Sequence, residues 1–86
     1  MIEAFVLIRV QPFRSDEASI VMASLKREIQ KVEGVKETKG VFGRYDFVAI
    51  VEAKTSQDLG VLVTNIIKSV RRVAETVETE TLVVGF

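Results

Sequence analysis

The chain has no cysteine, no histidine and no tryptophan, and only one proline in 86 residues. Without cysteine there is no disulfide and no thiolate metal site. Without histidine the commonest general base, metal ligand and near-neutral pH switch is missing. No sign of charge is in excess: 12 Lys+Arg balance 12 Asp+Glu. That is a poor footprint for a nucleic-acid binder, which usually shows a basic domain. Long hydrophobic runs are also missing. The longest purely apolar stretches, Ala4 to Ile8 and Phe47 to Val51, are five residues each, whereas a spanning helix needs about 20. No basic region precedes the first apolar stretch, and Glu3 stands at its start, so the N-terminus reads as a strand and not as a secretory signal. The expected compartment is the cytoplasm. No linker or low-complexity stretch divides the chain. We expect a single domain over residues 1–86.

What is present is apolar: 48% of the residues are hydrophobic and 28% charged, which argues against disorder. A two-fold rhythm of strand, helix, strand runs through the chain. Ile2, Ala4, Val6, Ile8 and Val10 alternate with Glu3, Phe5, Leu7 and Arg9, a period-two strand. Ser15 is a good N-cap, with Asp16 and Glu17 in the first turn, where the helix dipole favours acids. Ile20, Val21, Leu25, Ile29 and Val32 follow at helical spacing, and Gly34 is a natural C′ residue. A weaker second strand covers Val35 to Phe42. A third, apolar on both faces, covers Phe47 to Ala53. The short connection between them implies an antiparallel hairpin. Thr55 to Asp58 matches a capping signal, and Leu59, Leu62, Val63, Ile66, Ile67, Val70 and Val73 form a clear helical stripe. Val77 to Phe86 makes a fourth strand.

The order β-α-β-β-α-β is that of a ferredoxin-like α+β sandwich: a four-stranded antiparallel sheet with two helices on one face. Two helices cover one face only. Yet Phe5 and Leu7 share the second face of the first strand, and Leu82, Val84 and Phe86 share a face of the fourth. An exposed patch of that kind exceeds what soluble monomers usually show. The open face is therefore expected to pack against another chain, sheet on sheet, in a two-fold dimer.

Catalytic and metal chemistry find little support. Glu75, Glu78 and Glu80 are close in sequence, but they read as a solvated edge. The serines lie at caps or on polar helix faces, with no histidine to activate them. Lys26, Arg27 and Lys31 form a small basic patch, which reads as a solvated helix end. No cofactor is expected. Gly40-Val41-Phe42-Gly43-Arg44-Tyr45-Asp46-Phe47 stands out. Exposed amides in a glycine turn can hold a carboxylate, and Asp46 can meet an ammonium group. Together these are the two receptors that a free amino acid needs. The other reading is an ordinary hairpin turn, with Asp46 bonding nearby backbone amides. From the residues alone that second reading is the stronger.

The segments AFVLIRV, VEGVKETKGVFGRYDFVAIVEA and VETETLVV, in this order, resemble the effector-binding (RAM) domain of the Lrp/AsnC transcription regulators. The hallmark, an apolar residue shortly before Gly-x-x-Asp leading into an apolar strand, is met by Val41, Gly43 and Asp46. Thr79, Glu80 and Thr81 match a Thr-x-Thr before an apolar strand end. The chain begins directly at the first strand of that domain, so it resembles stand-alone members without the DNA-binding helix-turn-helix. The resemblance implies dimerisation through the sheets, giving a dimeric α+β barrel, and assembly into larger rings, commonly octamers. It implies effector sites between dimers near the Gly-x-x-Asp turn. Carried over by position, these are Gly40, Val41, Gly43, Arg44, Tyr45 and Asp46, with Leu82 and Val83 on the last strand. The implied function is non-enzymatic: binding a free amino acid at subunit interfaces and so modulating transcription regulators or amino-acid metabolism, with no direct contact to nucleic acid or membrane. Full-length Lrp/AsnC-type regulators are implied as further partners. Two alternatives stand beside it: a small cofactor-free enzyme of the dimeric α+β-barrel type, and a purely structural oligomerisation module.

Overall fold

The computed structural model describes residues 1–12 and 18–85. Its elements are β1 (Ile2–Pro12), α1 (Ala18–Gln30), β2 (Val35–Gly40), β3 (Phe47–Ala53), α2 (Ser56–Arg71) and β4 (Ala74–Val83). The four strands form one antiparallel sheet in the order β2-β3-β1-β4. The ferredoxin-like α+β plan expected from the alternation is the one observed.

Alternation decides which side chains are buried. Ala4, Val6, Ile8 and Val10 of β1 face the helices, beside Phe47, Ala49, Val51 and Ala53 of β3. Leu25 and Ile29 of α1, and Leu59, Leu62, Ile66 and Val70 of α2, close over them. Each fully buried aliphatic side chain contributes about 1.5–3 kcal/mol relative to leaving it in water. α2 begins as the sequence indicates: the Thr55 side chain accepts the Asp58 N–H at 3.1 Å.

Several boundaries differ from expectation. β1 continues to Pro12, because β4 goes on pairing beside it through a register shift at Gln11 and Pro12. β2 stops at Gly40, and Val41 and Phe42 belong to the turn. β4 starts at Ala74 and not Val77, since β1 offers it partners that far, and it ends at Val83. Gly34 does not cap α1 directly. α1 ends at Gln30, and Gly34 lies further on in a turn with φ +96°, where Val35 N–H bonds Val32 O. Ile20 is exposed and takes no part in the apolar stripe of α1. The Ser15, Asp16, Glu17 and Phe86 expectations fall outside the described residues.

Among the described residues no helix lies over the second face of the sheet. Register puts Phe5 between Ile50 and Leu82, and Leu7 between Val48 and Glu80. Phe5 is 37% and Leu82 47% exposed, so the uncovered face presents an apolar strip.

Candidate functional site

The β2–β3 connection is a tight turn built on Asp46. Its N–H donates to Ile8 O at 2.8 Å, and its carbonyl accepts Val41 N–H at 2.9 Å. Its carboxylate Oδ2 accepts the N–H of Val10 at 2.9 Å. The ladder explains the third bond. β3 begins at Phe47, opposite Ile8, so β1 runs past the end of its neighbour. Val10 then presents an amide with no β3 residue beside it, and the short Asp46 side chain supplies the acceptor that the ladder lacks. Gly43 sits in the turn with φ +119°, a backbone state that side chains disfavour.

Tyr45 leads out of the turn across the sheet. Its hydroxyl donates to Glu80 Oε2 at 2.6 Å, which ties the turn to β4 over the intervening β1. The Glu80 carboxylate beside it holds the Tyr45 phenol above its ordinary pKa. The Arg44 guanidinium lies 6.0 Å from the Tyr45 ring centroid, at the outer reach of a cation–π contact. Arg44 is exposed, and Phe42 is fully exposed at the tip.

Of the eight residues singled out from sequence, Val41, Gly43, Arg44, Tyr45 and Asp46 are together in this one turn, and Gly40 ends the strand that leads into it. Leu82 and Val83 are not with them. They pair with Phe5 and Ala4, about five or six residues down β1 from Val10, or roughly 16–20 Å at strand rise. Sequence reasoning missed two partners. The Val10 amide carries no sequence signal. Glu80 looked like a solvated edge residue, and only the sheet order places it within reach of Tyr45.

An open cavity of about 380 Å³ lies at the other end of the sheet, lined among others by Met1, Gly34, Glu52, Asp58 and Leu62. It does not touch the turn. Among the described residues no group of three Asp or Glu side chains is placed to hold a metal ion. No helix among them is long and apolar enough to cross a membrane.

Comparison with known proteins matches a family model described as the Lrp/AsnC ligand binding domain, over residues 3–84. No curated protein matches the chain. Among solved structures, the TTHA0845 protein of Thermus thermophilus is 36% identical, with all of this chain and 95% of that one covered and a TM-score of 0.73. The leucine response regulatory protein LrpA of Mycobacterium tuberculosis shares the fold at 20% identity and a TM-score of 0.69, over 96% of this chain and 49% of that one. The feast or famine regulatory protein Rv3291c of M. tuberculosis, complexed with L-methionine, shares it at 21% identity and a TM-score of 0.66, over 98% of this chain and 50% of that one.

Proposed function

The chain belongs to the Lrp/AsnC ligand-binding domain family, and from that premise we propose that it is a non-enzymatic amino-acid sensor whose effector site is the Gly43–Asp46 turn. The observation that carries this is the turn itself. Three hydrogen bonds hold Asp46 in place, while backbone around Gly43 and the Arg44 guanidinium stay exposed. In this reading the amides around Gly43 and the Arg44 side chain receive the ligand carboxylate. Asp46 receives the ammonium group. One of its oxygens is engaged by Val10, and an ionised carboxylate has acceptor sites to spare. A relative of the same fold complexed with L-methionine supports the ligand class.

The second half of the proposal is assembly. The central apolar strip of Phe5, Leu7, Val48 and Ile50 packs against the same strip of a second copy, leaving Leu82 at the sheet edge. Dimers then gather into larger rings, octamers in this reading. Ligand sites form between dimers, where Leu82 and Val83 of a neighbouring chain complete a turn that their own chain does not reach. Binding at such a junction couples ligand to assembly, and by linkage assembly to ligand affinity. In the cytoplasm, full-length regulators of the family are the partners with which mixed assemblies would form.

One observation favours a second reading, a ligand-indifferent oligomerisation module. The Asp46 carboxylate already has a structural partner, as a hairpin residue would. A thermal-shift scan of the purified protein against each proteinogenic amino acid separates the two. A ligand at a hundred times its dissociation constant stabilises the folded assembly by about 2.7 kcal/mol. The sensor predicts a rise in Tm for one or a few amino acids, lost in Asp46→Ala and Asp46→Asn. No rise at millimolar concentration for any of them leaves the oligomerisation module.

A further inference from the structure

The pairing register lines up one row of side chains straight across the open face. Lys39 of β2 lies opposite Val48 of β3. Val48 lies opposite Leu7 of β1, and Leu7 opposite Glu80 of β4. Cross-strand partners project from the same face. The row therefore reads cation, apolar, apolar, anion, from one sheet edge to the other. The next row, Glu37, Ile50, Phe5 and Leu82, continues the apolar centre.

Both charged ends are available to another chain. Lys39 Nζ is 3.6 Å from Glu37, but the side chains are 60% and 57% exposed. An exposed pair of this kind contributes little and is readily exchanged. Glu80 is exposed, and its carboxylate is steadied by the Tyr45 hydroxyl at 2.6 Å. One hydrogen bond leaves most of its acceptor sites open.

With their strands aligned, two such faces can stack about a two-fold axis in two ways. An axis across the strands lays β4 over β4, so that Glu78 and Glu80 approach their own copies. Like charges brought together in this way disfavour the complex. An axis along the strands lays each β2 over the other copy's β4 and reverses the row. Lys39 then stands over Glu80, Val48 over Leu7, and the same pair recurs on the other side. Packed sheets lie about 10 Å apart, a gap that the side chains of a lysine and a glutamate bridge between them. Resting on the sheet-to-sheet dimer proposed above, we infer that Lys39 and Glu80 form a reciprocal ion pair between two copies of this chain. That pair fixes the direction in which their sheets stack.

The test is a charge swap read by sedimentation velocity and native mass spectrometry on the full chain, with circular dichroism confirming the fold of each variant. Lys39→Glu alone and Glu80→Lys alone each turn two attractions into two repulsions. Each is expected to raise the dimer dissociation constant about tenfold or more. Mixed together, they restore both attractions, and the heterodimer is expected well above the statistical half of the dimers. A second measurement avoids charge reversal. Added salt is expected to weaken wild-type dimerisation, and Lys39→Gln to lessen that dependence. Self-association of both reversed variants at the wild-type level, or a mixture with only statistical heterodimer, overturns the pairing while the dimer stands. A wild-type chain that stays monomeric overturns the dimer, and the pairing with it.

Discussion

The carboxylate of Asp46 and the backbone N–H of Val10 meet at 2.9 Å across 36 residues of chain. The bond extends the ladder where β1 begins to outrun β3, so it is structural whatever else Asp46 does. Asp46→Ala leaves a partly buried amide unpaired and should cost about 1–3 kcal/mol in urea unfolding without ligand. Asp46→Asn keeps an acceptor and should cost clearly less. Equal losses for the two variants would show that the Val10 bond does not matter. The asparagine variant also separates an intact turn from a charged one in any ligand experiment.

Tyr45 is the only tyrosine, and there is no tryptophan, so near-ultraviolet absorbance reports this phenol alone. Its hydrogen bond to Glu80 raises its pKa above the ordinary value of about 10. Glu80→Gln should bring the titration back down towards that value. A pKa raised on folding means that the bond stabilises the fold in full below about pH 10. The contribution is lost as pH rises through the folded value. A wild-type titration no higher than that of Glu80→Gln would contradict the contact.

Gly34 and Gly43 both have positive φ, +96° and +119°, but their surroundings differ. A Cβ on Gly34 would run into Leu62 Cδ1 and lie 3.1 Å from the Glu52 carbonyl, whereas one on Gly43 meets nothing within 4 Å. Gly43→Ala should therefore cost only its backbone strain, about 1–2 kcal/mol. Gly34→Ala adds overpacking and should cost about 2–5 kcal/mol. Equilibrium unfolding of the two variants side by side checks the order.

Phe5 is a central side chain of the uncovered strip. Phe5→Asp exposes no core residue, so the secondary structure should survive. Dimerisation should weaken by about 2 kcal/mol or more, roughly 30-fold in dissociation constant. Sedimentation equilibrium measures it directly. Unchanged association would move the interface away from this face.

Much of the architecture was legible before any coordinates. The span Phe47–Ala53, the Thr55 cap and the α2 stripe of Leu59, Leu62, Ile66 and Val70 follow from an apolar run, capping chemistry and helical period, which act within a few residues. Strand ends were less legible. β4 begins at Ala74 because β1 is there to receive it, and no local residue announces that. The candidate turn was visible through Gly43 and Asp46, while its supports at Val10 and Glu80 were not.

By itself, then, the sequence determined the βαββαβ order, the buried face of β1, the apolar character of the opposite face, and the resemblance carried by Gly43 and Asp46. These are periodic or short-range properties, set by neighbouring side chains and backbone preference. Only the tertiary structure decided that Asp46 serves Val10, that Tyr45 reaches Glu80, that Leu82 and Val83 lie far from the turn of their own chain, and that Lys39 and Glu80 end the same row. Each of these depends on strand order and register. Order and register are fixed by the packing of the whole core, not by any residue's neighbours in the chain.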